Sequence, residues 1–176
     1  MLVSAEYKAQ IAQLHRENPG WGTSGRECAG VVQTLIQRYE PKNILDYGCG
    51  KQTLARALPK YRIRGYDPGL PGLDTPSEPH DLVVCFDVLE HIEPDCLDDV
   101  LDDLQRVTKQ ILFTKVCIVP AFTMLPDGRN AHLIVKAARW WLERLWDRFN
   151  LINCMVDSTN IVACLEARKP KGNGTK

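Results

Sequence analysis

Apolar residues along this chain follow two periods, and the two alternate. Tyr7, Ile11 and Leu14 recur at helical spacing within residues 4–17 and predict a short amphipathic helix. The breakers in Asn18-Pro19-Gly20-Trp21-Gly22-Thr23 predict a loop. Ser24 is a candidate cap for a second helix, whose apolar face is Val31, Val32, Leu35, Ile36 and Tyr39 and which Pro41 ends. From Asn43 the pattern changes. Residues 43–47, 61–66, 81–86 and 110–119 are short apolar runs of strand length, the third of them apolar on both faces as a buried parallel strand is. Between them, residues 53–58 predict a short helix. Leu97, Val100, Leu101, Leu104 and Val107 predict another, with Pro94 in its first turn and its aspartates on a solvated face. The run 69–80 is broken by Gly69, Pro71, Gly72, Pro76 and Pro79 and reads as loop, as do residues 120–134. A helix over 137–149 carries Leu142, Leu145, Trp146 and Phe149, and residues 151–157 and 160–167 form a terminal antiparallel pair around Ser158-Thr159.

Strands that alternate with helices require a mostly parallel α/β sheet with helices on both faces, here closed by an antiparallel C-terminal hairpin. Right-handed crossovers then bring the strand C-terminal ends, and the loops 47–52, 67–80, 86–93 and 120–134, to one rim. The length of 176 residues suits one domain. Residues 1–42 are expected to pack as N-terminal helices on a core domain of residues 43–168, followed by a polar, disordered tail at 169–176. The formal net charge is zero, which removes any general attraction for nucleic acid or membrane. The seven cysteines form no C-x-x-C pair; Cys85, Cys117, Cys154 and Cys164 sit in apolar runs as small hydrophobes, so a reducing, cytoplasmic compartment is expected. No apolar run approaches the roughly 20 residues of a membrane span. Monomer and homodimer both remain open.

Candidate chemistry begins at the end of the first strand. Ile44-Leu45-Asp46-Tyr47-Gly48-Cys49-Gly50-Lys51-Gln52 reads as strand, glycine turn and helix start, an arrangement that brings backbone N–H groups close to a nucleotide-type ligand. The dinucleotide fingerprint G-x-G-x-x-G/A fails at Thr53, and D-x-G-x-G-x-G fails at Gln52. Asp67, 21 positions after Asp46 and at a strand end, suits ribose hydroxyls in either case, or serves as a turn residue before Pro68. Taken together, ILDYGCG, GYDP and DLVVCFDVLEHI resemble the S-adenosylmethionine-dependent methyltransferases with a Rossmann-like sheet, over residues 43–167. The resemblance implies that Asp46, Gly48 and Gly50 hold the methionine end, Asp67 the ribose, and the backbone around Cys85 and Phe86 the methionine amino group. It also implies an abbreviated third-strand unit, because the loop 69–80 occupies its place.

Asp87, Glu90 and His91 at i, i+3 and i+4 share one face if the chain turns helically after the strand. With His132 from the later loop they offer carboxylate and imidazole ligands for a divalent ion such as Mg²⁺, Mn²⁺ or Co²⁺. This set resembles the metal-dependent 2′-O-methyltransferases that cap the 3′ ends of small RNAs, and the box alone resembles the O-methyltransferases of ubiquinone synthesis. The resemblance implies methylation of a hydroxyl on a nucleotide, an RNA end or a small diol. Without a metal, Glu90 and His91 tie the turn together, and His132 or His91 is the candidate general base. Arg129 and Asn130 either recognise a phosphate or sugar of the acceptor or complete a tight turn with Asp127. Trp140 and Trp141 cannot both face the core, so one covers the pocket or is exposed. Trp21 either closes over the cofactor or plugs the N-terminal core. Lys136, Arg139, Arg144 and Arg148 give a basic helix face of a kind seen both in solvated helices and in nucleic-acid binding. A metal-independent methyltransferase acting on nitrogen or a small molecule, and a degenerate binding module without catalysis, are the competing readings.

Overall fold

The computed structural model describes residues 1–168; the expected disordered tail, 169–176, lies outside the described residues. The elements in chain order are α1 (Ala5–Glu17), α2 (Ala29–Tyr39), β1 (Ile44–Tyr47), α3 (Thr53–Ala57), β2 (Ile63–Tyr66), β3 (His80–Phe86), α4 (Leu97–Val107), β4 (Thr108–Cys117), α5 (Ala138–Arg148), β5 (Phe149–Val156) and β6 (Asn160–Ala167). The six strands form one sheet in the order β2-β1-β3-β4-β6-β5. β1 pairs in parallel with β2 and β3, and β3 with β4. β6 lies antiparallel between β4 and β5. The mostly parallel Rossmann-like sheet with an antiparallel C-terminal pair is therefore present. β2 is its edge, and the chain returns from there to β3 through residues 67–79 without another strand.

Strand alternation sorts the side chains into two cores. Leu45, Tyr47, Val83, Cys85 and Leu112 face α4 and α5, where Leu101, Leu104, Trp141 and Leu145 are fully buried. Ile44, Leu82, Val84, Phe86, Ile111 and Phe113 face α2 and α3. The five-residue stripe on α4 is buried in full, and each such side chain contributes roughly 1.5–3 kcal/mol relative to exposure. A third cluster joins Tyr7 and Leu14 of α1 to Leu125 and Ala131 of the long loop after β4. That contact carries the N-terminal helix to the rim of the sheet.

Ser24 does not cap α2. It opens a 3-10 turn, Ser24–Arg26, and α2 starts at Ala29 with no side-chain hydrogen bond at its N-cap, Cys28. The helix ends at Glu40 in the left-handed region, φ 46°, just before Pro41. Most other boundaries differ from expectation by one or two residues.

Candidate active site

The sheet reverses its order of connection between β1 and β3, the place where open α/β sheets bind ligands. A cavity of about 500 Å³ lies there, floored by the ends of β1 to β4 and roofed by the N-terminal segment. Its walls include Asp46, Gly48, Gly50 and Asp67 on one side and Asp87, Glu90, His91, Lys115, Cys117 and His132 on the other.

The glycine turn is built for close approach. Gly48 has φ 75°, and a Cβ there would lie 2.3 Å from Val88 Cγ2; Gly50 has φ 46°, and its Cβ would lie 2.7 Å from Gly22 Cα. The neighbour that requires Gly50 is thus the N-terminal loop of this same chain. The amides of the turn are not bare, which corrects the sequence expectation. Gly48 and Cys49 donate to the Tyr66 carbonyl at 2.8 and 3.1 Å, Lys51 to the Gly22 carbonyl at 2.9 Å, and Gln52 to the Cys49 carbonyl at 2.8 Å. Gly50 donates to Asp67 Oδ2 at 3.0 Å, and Asp67 Oδ1 accepts from the Gly69 amide at 2.9 Å. Asp67 therefore ties the turn to the next loop as well as lining the cavity. Gln52, in place of a third glycine, also takes the left-handed conformation, φ 54°.

Asp46 is only 4% exposed, and its carboxylate has no hydrogen-bond or ion-pair partner among the described residues. Burial, and then the nearby Asp67 charge, push its pKa up to about 7. Burial also raises Asp67, against the amides of Gly69 and Gly50, which lower it. This side of the cavity is acidic and short of free N–H donors. Phe86 lines it, whereas Cys85 is wholly buried and its carbonyl accepts from Thr114 Oγ1 at 2.9 Å.

The opposite wall departs further from expectation. The chain does not turn helically at Asp87, which has φ 52° and is followed by a 3-10 turn, Leu89–His91. Asp87 consequently points to Lys115 Nζ, 3.0 Å away, instead of joining a ligand set with Glu90 and His91. The Mg²⁺ or Mn²⁺ expectation loses its first ligand to this pair. Glu90 is fully buried; its Oε1 accepts from the Cys117 amide at 2.9 Å and its Oε2 has no partner. Burial, with Asp87 second, raises its pKa to about 8. His91 Nδ1 donates to the Ala131 carbonyl at 2.7 Å and His132 Nδ1 to the Val119 carbonyl at 2.6 Å, so each ring keeps its lone pair on Nε2. The two rings stand 4.7 Å apart edge to face, and Trp21 packs on His91 at 4.9 Å. Desolvation drives His91 down to about 4. The donor atoms that converge are one each from Glu90, Cys117 and His132, all within 4.8 Å of one another.

Sequence reasoning missed Lys115 and Cys117. Both occupy the C-terminal end of a parallel strand, the signal that could have found them; the apolar run around Cys117 pointed to the core instead. Several candidates face elsewhere. Arg129 does not line the cavity and pairs with Asp127, Nη2 to Oδ2 2.7 Å, in a tight turn that Gln10 also binds. Asn130 bonds the backbone of Ala121 and His132. Against expectation both tryptophans meet the core: Trp141 is buried in it, and half-buried Trp140 packs on the same cluster under the Arg144 guanidinium, 3.5 Å from its ring centroid, away from the cavity. Arg139 pairs with Glu143, and Arg148 with Asp98 and Asp102, which largely neutralises the basic helix face.

A Rossmann-like sheet with an acidic cavity at its switch point defines the class: an open α/β fold whose cavity lies at the strand ends. A family model described as a methyltransferase domain matches residues 21–168, and the chain belongs to this methyltransferase family. A search of curated proteins found no significant match. Solved structures share the fold at low identity. The 1,6-didemethyltoxoflavin-N1-methyltransferase of Burkholderia thailandensis, solved with 1,6-didemethyltoxoflavin and S-adenosylhomocysteine, is similar at a TM-score of 0.66 and 14% identity, over 92% of this chain and 87% of that one. The PH0226 protein of Pyrococcus horikoshii OT3 gives 0.64 and 13%, over 89% and 99%. The magnesium protoporphyrin IX methyltransferase of Synechocystis PCC 6803, with bound S-adenosylhomocysteine, gives 0.60 and 14%, over 81% and 83%.

Proposed function

We propose that the protein transfers a methyl group from S-adenosylmethionine to a hydroxyl oxygen of a small acceptor. The observation that carries this is the combination of engaged turn amides with the unpaired, buried Asp46 carboxylate. A dinucleotide's pyrophosphate needs free N–H donors and is repelled by carboxylates. A sulfonium and an ammonium group need the reverse. The cavity therefore suits S-adenosylmethionine, the cofactor class whose product is bound in the two neighbours named above. Asp46 would face the cationic end. Asp67 would take the ribose hydroxyls on the lone pairs its two amide contacts leave over. Gly48 and Gly50 would flank the methionine part, with the Phe86 backbone beside its amino group. When bound, the cofactor supplies a methyl carbon made electrophilic by the positive sulfur.

The acceptor side holds two imidazoles, His91 and His132, each with Nδ1–H committed to a backbone carbonyl and Nε2 left over. Either can take the proton of an acceptor hydroxyl, which favours oxygen over a preformed cationic nitrogen as the site of methylation. A small hydroxyl compound fits better than RNA, because Arg129, Trp140 and the basic face of α5 are directed away from the cavity or neutralised within the chain. The exposed Phe122 at the cavity wall adds an apolar contact for the acceptor.

Calorimetry with S-adenosylhomocysteine tests the cofactor. Binding that weakens in Asp46→Asn supports the reading, and no binding at high micromolar ligand would sink it. Methyl transfer from labelled cofactor to panels of diols, phenols, nucleosides and hydroxyl-free amines and nitrogen heterocycles tests the acceptor. Transfer confined to nitrogen-containing compounds lacking a hydroxyl overturns the oxygen assignment.

A further inference from the structure

We propose that Glu90, Cys117 and His132 form a binding site for a borderline divalent cation of the Zn²⁺ type, on the acceptor wall of the cavity. The three residues come from three separate elements: the 3-10 turn after β3, the end of β4 and the loop that follows it. One donor atom from each lies within 4.8 Å of the other two. The protein's own hydrogen bonds hold them in place: the Cys117 amide donates to Glu90 Oε1, and the Cys117 thiol and His132 Nδ1–H both donate to the Val119 carbonyl.

Glu90 provides the independent observation. Its side chain is fully buried, its Oε1 is satisfied by the Cys117 amide, and its Oε2 meets no donor. A buried carboxyl oxygen without a partner is destabilising, because its lost hydration is not replaced. Glu90 lines the cavity, so a cation held between Cys117 and His132 would give this carboxylate the partner it lacks. The imidazole is prepared as well. The Val119 carbonyl holds His132 through Nδ1–H and fixes the ring and its tautomer, which is the support metal-binding histidines receive from their surroundings.

The donor types select the ion. Thiolate, imidazole and carboxylate together suit Zn²⁺, or Co²⁺ as its spectroscopic substitute; Mg²⁺ and Ca²⁺ take oxygen ligands almost exclusively. Three protein ligands leave a fourth tetrahedral position, as catalytic zinc sites do. Asp87 takes no part because Lys115 holds it, and Lys115 is in turn neutralised beside the site.

The functional consequence rests on the methyl-transfer reading. A cation held there would make a bound acceptor hydroxyl more acidic. His132 would then be a ligand, and His91, whose Nδ1–H is held by the Ala131 carbonyl, would be left to take the proton on Nε2. The oxygen–methyl bond forms as the sulfur–methyl bond breaks, leaving a neutral thioether.

The test uses the full chain purified without chelator. Co²⁺ is titrated by absorption, and Zn²⁺ by competition with a chromophoric chelator. One equivalent of Co²⁺ with a thiolate charge-transfer band in the near ultraviolet is expected. The band disappears in Cys117→Ser, and Co²⁺ affinity falls by at least about tenfold in His132→Ala. S-adenosylhomocysteine calorimetry on the same samples shows that the variants are folded and reports on the cofactor site separately. Cofactor binding without metal binding overturns the cation site and leaves the methyltransferase reading intact. A band that survives in Cys117→Ser overturns it too, since the ion then sits elsewhere.

Discussion

Replacing Asp46 by asparagine gives the sharpest check on the acidic cradle. Asp46 is almost fully buried with no partner, and its pKa is pushed up to about 7 from the ordinary 3.8. The folded state therefore holds the proton more tightly than the unfolded chain does. That contribution to stability is fully present below the unfolded value and is lost as pH rises through the folded one. Every tenfold gain in proton affinity on folding is worth about 1.4 kcal/mol, so the parent gives up about 4 kcal/mol between roughly pH 4 and pH 7 through this group alone. Asparagine keeps the shape without the proton. In urea titrations the stability difference between Asp46→Asn and the parent should grow in favour of the variant by about 1.4 kcal/mol per pH unit up to about pH 7, and then level off. A difference of that size amounts to roughly 10 °C in melting temperature for a domain of this length. The same variant should bind S-adenosylhomocysteine about tenfold or more weakly at neutral pH, because a charge-assisted hydrogen bond is missing. A stability difference independent of pH, or one that grows toward acid, refutes the reasoning: Asp46 would then ionise like an exposed carboxylate.

Three further outcomes are expected. Gly48→Ala should cost about 1–3 kcal/mol in urea denaturation from its left-handed φ and the 2.3 Å approach to Val88 Cγ2; adding Val88→Ala should restore part of this but not the backbone share, so full rescue or none contradicts the geometry. Trp21→Ala removes the edge-to-face cover of His91 and should weaken S-adenosylhomocysteine binding roughly threefold to tenfold in calorimetry, while leaving the melting temperature within a few degrees. Arg148→Ala breaks the exposed pairs with Asp98 and Asp102 and should lower stability by no more than about 1 kcal/mol with methyl transfer unchanged; a large loss of activity would place that helix at the acceptor.

The elements were legible because their signal is local. The stripe Leu97, Val100, Leu101, Leu104 and Val107 specifies both the helix and its buried face, since 3.6 residues per turn brings those positions together in any context. Loop composition at 69–80 likewise announced the trimmed sheet edge. The candidate site was legible only in outline. Asp46, Glu90, His91 and His132 do meet one cavity, because right-handed crossovers put the strand ends on one rim. Their partners were not visible: the left-handed turn at Asp87, which sends its carboxylate to Lys115, depends on how β4 runs beside β3.

By itself, then, the order of residues determined which segments are strand or helix, which faces are apolar, and that the turn at Gly48 and Gly50 stands on the rim of the sheet. Those features follow from nearest neighbours and from the handedness of the backbone. Only the tertiary structure decided that Gly22 covers Gly50, that Asp67 holds the glycine turn by its amides, and that Cys117 stands with Glu90 and His132. Such contacts join residues dozens of positions apart, and their geometry is set by the packing of whole elements.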